Sequence, residues 1–437
     1  MRRMPESVFL TSLIITLILT ACGKVHTAVS LFVPDGYPTI QSAIDAAKPG
    51  DSIIVGAGTY YENLRLDKAA NLMAASYDPA DPTRNITIID AGAANLAPAI
   101  SIPAGISPMP TVRGFVIRNG SDCVDIHSEA VIEYNYFVSA GDQFDFDAGG
   151  GGIVSHNVFY ASGDDHIDLD NMTRDLLIED NRMMYSGDDG IEMRLQDSSA
   201  PARSITIIIR NNVIIGSGED GVQIIDYAQP LDTNRRVVIT GNIIGNCRLA
   251  GIGLMPNENT VEDYSGADIL EAARVYNNTL FGNDYGISGG DNLVAFNNII
   301  AASKTKGVWG VEGPAGANSV VAYTLFHDNR LDSDQSTLGA GNLFGRDPLF
   351  LFPPQPGPDG SWGTVDDDFS GLILTSGSPA IDGGVAQYVS HNGEVIPPNP
   401  ITGFMGLSPD LGWKEFDPLQ PPIPTAIATP TAAPTPN

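Results

Sequence analysis

The sequence predicts an all-β solenoid, on three observations. An Asn-led pattern recurs between about residues 110 and 310. Within each copy the apolar residues alternate with a period of two, which marks strands. The Asn-to-Asn spacings from Asn135 through Asn157, Asn181, Asn212, Asn242 and Asn278 to Asn298 are 22, 24, 31, 30, 36 and 20 residues. A period of this length made of short strands stacks coil upon coil. Helical repeats of similar length need apolar residues every 3.6 positions, which are absent here.

Each copy has the same parts. An Asn opens it, apolar residues follow, then a Gly/Asp turn, then an alternating strand: Gly163, Asp164, Asp165, His166, Ile167, Asp168, Leu169, Asp170 in one copy and Gly187, Asp188, Asp189, Gly190, Ile191, Glu192, Met193, Arg194 in the next. The recurring Asn is expected to form a stacked side-chain ladder at a sharp turn, where Asn tolerates left-handed backbone. Phe137, Phe159, Met183 and Ile214 should then stack inside, with Ile167/Leu169, Ile191/Met193 and Val222/Ile224 from the following strand.

Composition narrows the partners. Of 437 residues 43% are hydrophobic, enough for a large core, so global disorder is excluded. Acidic residues outnumber basic ones 52 to 23, for a net charge of −29. That deficit of bases argues against nucleic acid, whose phosphates need clustered Lys and Arg. An anionic polymer would also be repelled unless a cation bridges the two. Three cysteines exclude a disulfide scaffold. Cys123 and Cys247 would lie about five coils, or ~24 Å, apart, and are expected as free thiols.

The opening of the solenoid, Val33-Pro34-Asp35-Gly36-Tyr37-Pro38-Thr39-Ile40-Gln41-Ser42-Ala43-Ile44-Asp45-Ala46-Ala47, together with the repeats, resembles the right-handed parallel β-helix, the pectate-lyase-like superfold. The resemblance covers roughly residues 33–385. It implies a short amphipathic helix capping the N-terminal end, with Gly50–Val55 and Gly58–Tyr60 in the first coil. Asp347–Phe350 and Gly377–Asp382 resemble a closing segment of secreted β-helix proteins. Such ends need cover, because an open stack pairs with other chains. The expected organisation is 1–21 signal peptide, 22–32 linker, 33–385 β-helix, 386–417 closing segment and 418–437 Pro/Thr-rich disordered tail.

Arg2 and Arg3 precede an apolar run from Val8 to Ala21, too short for a comfortable membrane span and suited to a signal segment. Its end, Leu19-Thr20-Ala21-Cys22-Gly23, resembles a bacterial lipobox. That implies lipidation at Cys22, and an extracytoplasmic monomer held to the bacterial cell envelope by its lipid anchor alone.

Aligned coils put acidic residues in columns. One reads Asp122, Asp142, Asp165, Asp189, Asp220; the next Asp125, Asp145, Asp168, Glu192, Gln223; the third His127, Asp147, Asp170, Arg194, Ile225. The last two columns should share one outward face. The first also suits a plain turn, since Gly and Asp favour turns. Carboxylates about 5 Å apart repel, so they gain protons or admit a cation, and an oxygen-only donor set favours Ca²⁺. Asp168, Asp170, Glu192 and Asp145 are the candidate ligands. Longer coils place extra residues around 195–204, 226–236 and 255–272, an expected binding wall. These hold Arg203, Tyr227, Arg235, Arg236 and Tyr264, candidates for contact with sugar.

The resemblance implies two chemistries. A lyase would use Ca²⁺ on a uronate carboxylate and a basic group on the C5 proton, with Arg194 or His166 as candidates. Arg194 is equally suited to pair with Asp170. A polygalacturonase-like hydrolase is similar in its Gly-Asp-Asp motif, here Gly163-Asp164-Asp165 and Gly187-Asp188-Asp189, with Asp165 as the candidate carboxyl; its Gly-His-Gly and Arg-Ile-Lys motifs are absent. At the expected carboxylate spacing of ~6.6 Å such an enzyme would invert. The third possibility is a surface protein that binds glycan or Ca²⁺ without cleaving. Asp359 and Asp366–Asp368 suggest a second, loop-based Ca²⁺ site, or a solvated loop.

Overall fold

The computed structural model describes residues 26–92, 96–147, 149–170, 172–196, 201–226, 233–255, 264, 269–312 and 318–419. Cys22 and Tyr227 lie outside these residues, as do most of the three long insertions and the tail from 420 onward.

Three long sheets, parallel throughout, wind together. Sheet 1 has 12 strands, from Ser30–Val33 to Val320–Ala322; sheet 2 has 12, from Gly58–Tyr60 to Leu343–Phe344; sheet 3 has 11, from Leu64–Arg65 to Ser333–Asp334. One coil gives one strand to each sheet in turn, as Gly151–Ser155, Val158–Tyr160 and Ile167–Leu169 do. Parallel neighbours need a crossover between them, and here the rest of the coil supplies it. The fold is a right-handed parallel β-helix, as the repeat predicts.

Register fixes the core. Phe137 pairs with Phe159, Phe159 with Met183 and Met183 with Ile214, and all four are fully buried. The rings of Phe137 and Phe159 stack at 4.9 Å. Interior columns of like side chains make each coil a template for the next.

The Asn ladder forms. Asn135 through Asn278 each donate a backbone amide to the Oδ1 of the Asn one coil on, at 2.8 to 3.0 Å. Each Nδ2 from Asn135 to Asn298 also donates to a sheet 1 carbonyl, so buried polar groups at the corner are satisfied. One detail differs from expectation. The left-handed residue is the one before the ladder Asn: Tyr134, His156, Asp180, Asn211, Gly241, Asn277 and Asn297 have φ between 54° and 68°. The ladder side chain points inward because the bend is taken one position earlier.

The N-terminal end is plugged by a helix over Ile40–Ala46, capped by Thr39, whose side chain accepts the Ser42 amide. Its buried Ile40, Ala43 and Ile44 lie on the end of the core. Cys123 and Cys247 are buried free thiols.

Beyond Phe344 the chain turns back along the coil. Phe369 and Leu372 cover Met184, Ile215 and Ile243 on the outside of sheet 2. Leu374, Ala380 and Leu411 cover Ile299, Ala301 and Leu325 further along. A hairpin of Tyr388–Val389 and Val395–Ile396 packs on Val294, Phe296 and Ala322 of sheet 1. Much of the covered outer surface of both sheets is apolar, with Arg274 of sheet 1 and Thr279 of sheet 2 as buried polar exceptions. The outward residues of sheet 3 in the central coils are carboxylates, so that face calls for no apolar cover. Among the described residues, no helix is long and apolar enough to cross a membrane.

Candidate functional site

Sheet 3 presents the acidic columns on its outer face. Strand pairing places Ser101, Asp125, Asp145, Asp168, Glu192 and Gln223 side by side. Their neighbours Ile126, Phe146, Leu169 and Met193 point into the core. Alternation along a short strand is therefore what turns these carboxylates outward.

Asp168 and Glu192 are nonetheless 9% and 5% exposed. Arg194, two residues beyond Glu192, folds back over both. It donates to Asp168 Oδ2 at 2.9 Å and to Asp170 Oδ1 at 3.3 Å, and its second terminal nitrogen contacts Glu192. Burial pushes Asp168 up to about 7 and Glu192 up to about 8, with Arg194 opposing the rise and nearby carboxylates adding to it. Asp145 is pushed up to about 7 by burial and by Asp147, Asp122 and Asp125. Desolvation alone would weaken Arg194's hold on its proton, but its three carboxylates outweigh that. Arg194 thus compensates these carboxylates electrostatically and holds their positions.

The first acidic column forms a second ladder. The amide of Asp165 donates to Asp142 Oδ1 at 2.9 Å, Asp189 to Asp165 Oδ1 at 2.7 Å, Asp220 to Asp189 Oδ1 at 2.6 Å and Ala250 to Asp220 Oδ1 at 2.6 Å. These carboxyls stack through the turn from sheet 2 to sheet 3. Burial, then carboxylate neighbours, raises Asp165 and Asp189 well above the usual range. Asp165, expected as a catalytic carboxyl, is 4% exposed and its Oδ1 is engaged in this ladder.

Carboxylate oxygens of Asp165, Asp168 and Glu192 converge within 4.8 Å of one another. Asp168 Oδ1 is buried there without a hydrogen-bond partner. Of the four expected metal ligands, Asp168 and Glu192 belong to this trio. Asp145 and Asp170 stand outside it, and Asp165 takes the third place. The approach of Asp168 to Glu192 across neighbouring coils agrees with the strand spacing of about 5 Å. Asp125, His127 and Asp147 form another convergent group, with His127 Nε2 2.8 Å from Asp125 Oδ1.

Several expected contacts are corrected. His166 is fully buried, with Nδ1 2.9 Å from Gln143 Oε1 and the ring 6.0 Å from Phe159. Burial lowers it to about 3, so it is a neutral core residue rather than a base. The coil path explains the failure: the position before each sheet 3 strand points inward. Later coils hold Gly190 and Gly221 there, where a Cβ would sit 2.5 and 2.3 Å from the core Ile methyl groups of Ile214 and Ile244. Arg235 is 1% exposed, in a sheet 1 strand, and donates to Met172 O at 2.9 Å and Gln196 O at 3.1 Å. It anchors backbone and cannot touch a glycan. Arg236 is on the outside of sheet 1, not on a wall of the acidic face, and lies 3.6 Å from Glu394. Arg203 is exposed and pairs with Asp175. Tyr264 is 2% exposed and donates to Asp220 Oδ1 at 2.5 Å, closing the aspartate ladder. The Asp359–Asp368 loop is knitted by its own amides and hydroxyls, such as Thr364 on Asp366 and Gly363 on Asp367.

An aromatic group on the same face stands outside the sequence-based candidates. Tyr285 and Trp309 stack at 5.4 Å, with Lys306 Nζ 4.2 Å from the Trp309 ring. Trp309 follows Ser288, Gly253 and Gln223 in the column that begins with the carboxylates. Recurrence at that column, read past the last acid, was the available signal.

Coil path and side-chain ladders define a right-handed parallel β-helix protein. Residues 106–263 match the family model described as the right handed beta helix region. No curated protein sequence matches the chain. Among solved structures the chain is similar to pectate lyase Pel9A, at 12% identity over 90% of this chain and 98% of that one, with a TM-score of 0.47. It is also similar to the catalytic unit of the thermostable GH87 alpha-1,3-glucanase from Streptomyces thermodiastaticus strain HF3-3, at 14% identity over 75% and 71%, with a TM-score of 0.42. The family 28 exopolygalacturonase of Yersinia enterocolitica follows at 14% over 73% and 78%, with a TM-score of 0.32. These likenesses concern the fold alone.

Proposed function

We propose that this chain is a lipid-anchored, extracytoplasmic β-helix protein that binds or cleaves a uronate-containing polysaccharide on the outer face of sheet 3, through a calcium ion. One observation carries the cation: Asp168, whose carboxylate converges with those of Asp165 and Glu192, has a buried Oδ1 without a hydrogen-bond partner. Three carboxylates that converge repel one another, and such a cluster is relieved by taking up protons or by admitting a cation. The donors are all oxygen, as Ca²⁺ prefers, and they supply only part of its six to eight ligands. The ion would neutralise the trio and polarise a bound uronate carboxylate. Arg194 would orient the same carboxylate from beside it, and Tyr285 and Trp309 would offer rings for sugar to lie on. Anchoring at Cys22 would place this face outside the cell.

A second reading, glycoside hydrolysis, draws on the raised proton affinity of Asp168 and Glu192. Carboxyls that hold protons near neutral pH suit a general acid.

The test combines melting and product assays. Ca²⁺ should raise the melting temperature, EDTA should reverse the rise, and Asp168→Asn should abolish it. An unchanged melt at millimolar Ca²⁺ overturns the cation site. With polygalacturonate or alginate, ultraviolet absorbance from unsaturated ends supports a lyase. New reducing ends without it support hydrolysis. Retention on the glycan with neither product supports a binder, and absence of all three overturns the polysaccharide proposal.

A further inference from the structure

A second polar cavity lies on sheet 1, away from the acidic face. It encloses about 200 Å³ and is lined by Arg236, Arg274, Asn234, Asn292, Asn392 and Glu394, among others. Arg236 and Arg274 come from adjacent strands, with Arg236 opposite Ala272 and Val238 opposite Arg274. Both point outward, so their side chains are diagonal neighbours within reach of a common ligand.

Arg274 is 5% exposed. One terminal nitrogen donates to Asn292 O at 2.6 Å and Ala273 O at 2.9 Å; the other donates to Asn292 Oδ1 at 3.2 Å and Glu394 Oε2 at 2.5 Å. Its Nε is buried with no partner. Arg236 approaches the other oxygen of the same carboxylate, Glu394 Oε1, at 3.6 Å. Glu394 belongs to the C-terminal hairpin, next to its exposed turn at 391–393.

Two guanidinia therefore face one carboxylate. In a chain of net charge −29 this is a local excess of positive charge, and it is not what clamping a hairpin requires. A single Arg–Glu pair would do that. The groups that face the carboxylate are terminal nitrogens of the two guanidinia, and charge-assisted bonds from such groups to an oxyanion are strong. Glu394 shows which chemistry the pair accepts, with one carboxylate oxygen turned to each guanidinium. Asn234, Asn292 and Asn392 complete a polar lining, with Asn292 Nδ2 donating to Leu270 O and Asn392 Oδ1 accepting the Glu394 amide.

We propose that this cavity is an oxyanion subsite for a carboxylate- or sulfate-bearing sugar, and that Glu394 occupies it as an internal substitute until such a group displaces it. The subsite stands on a different sheet from the acidic face and needs no cation, so either can fail without the other.

The experiment is calorimetric titration of the full chain at constant ionic strength, with EDTA present to silence any calcium site. The probes are inorganic sulfate, D-galacturonate and uncharged D-glucose. Saturable binding of sulfate or galacturonate, but not glucose, is expected. Galacturonate alone would identify a sugar carboxylate; both anions would identify a general oxyanion site. Glu394→Gln should tighten binding about tenfold by removing the competitor, and Arg236→Gln should weaken it by a similar factor. Arg236 is exposed, so its variant keeps the comparison sound if the Glu394 variant loosens the hairpin. No saturable anion binding in wild type or Glu394→Gln overturns the proposal. So does equal binding of glucose, or anion binding indifferent to Arg236→Gln.

Discussion

Arg194 donates to Asp168 Oδ2 at 2.9 Å across neighbouring coils, while also holding Glu192 in its own strand. One cation thus spans two coils and offsets repulsion that register makes unavoidable. Removing it leaves buried carboxylates uncompensated. Arg194→Ala is expected to cost about 3–5 kcal/mol in urea denaturation. Arg194→Lys should recover part of this, because an ammonium keeps the charge but lacks the planar fork that spans carboxylates on two coils. Calcium should stabilise Arg194→Ala more than wild type, since the vacated charge favours a cation. A calcium response smaller in the variant would mean that Arg194 helps to build the site rather than to balance it.

The repeat made the coil legible, because Asn spacing and period-two alternation follow directly from stacking. It also put Asp125, Asp145, Asp168 and Glu192 in one column, since register in a parallel stack propagates from coil to coil. What lies between strands was harder to see. His166 and Asp165 are adjacent in sequence, yet one faces the core and the other forms a ladder. Their orientation depends on turn backbone, which has no fixed period. Arg235 and Arg236 were read as loop residues, but the strand begins at Arg235 and alternation sends one inward and one outward. The long reach of Arg194 over Asp168 is a side-chain choice that spacing does not encode.

The aspartate ladder should tolerate amide replacement and resist truncation. Asp189 Oδ1 accepts the Asp220 amide at 2.6 Å, and the Asp189 amide donates to Asp165 Oδ1 at 2.7 Å. Asp189→Asn keeps the acceptor and removes a charge whose burial already raises its proton affinity. It should leave stability unchanged or improve it above neutral pH. Asp189→Ala strands the Asp220 amide and should cost about 1–3 kcal/mol. Equal losses for both variants would show that the charge itself, and not the acceptor, holds the turn.

Stability should fall on the alkaline side. Asp145 and Asp168 are raised to about 7 and Glu192 to about 8, well above the ordinary carboxylate range. The folded state therefore binds protons that the unfolded state has released. Their contribution is fully present below about pH 4, the unfolded range, and is lost as pH rises through 7 to 8. Melting temperature without calcium is expected to drop between about pH 5.5 and pH 9, within the range set by these groups. Asp145→Asn should flatten that limb. A rising melting temperature across the same window would contradict the raised affinities.

His166 tests whether a buried group beside the site takes part in chemistry. Burial lowers it to about 3, below the ordinary imidazole value of 6.5, against a smaller opposing effect of the Met184 carbonyl. The unfolded chain thus takes up a proton that the folded chain refuses, so His166 weakens the fold as pH falls from 6.5 toward 3. The preceding coil holds Gln143 in the same column, where its Nε2 donates to Tyr160 O at 2.8 Å. His166→Gln should therefore be accepted at neutral pH for less than about 1.5 kcal/mol. It should also make the protein more resistant to acid and leave any action on polysaccharide intact. Loss of that action with an unchanged melt would return His166 to the mechanism, and would require a path from a fully buried ring to the sugar.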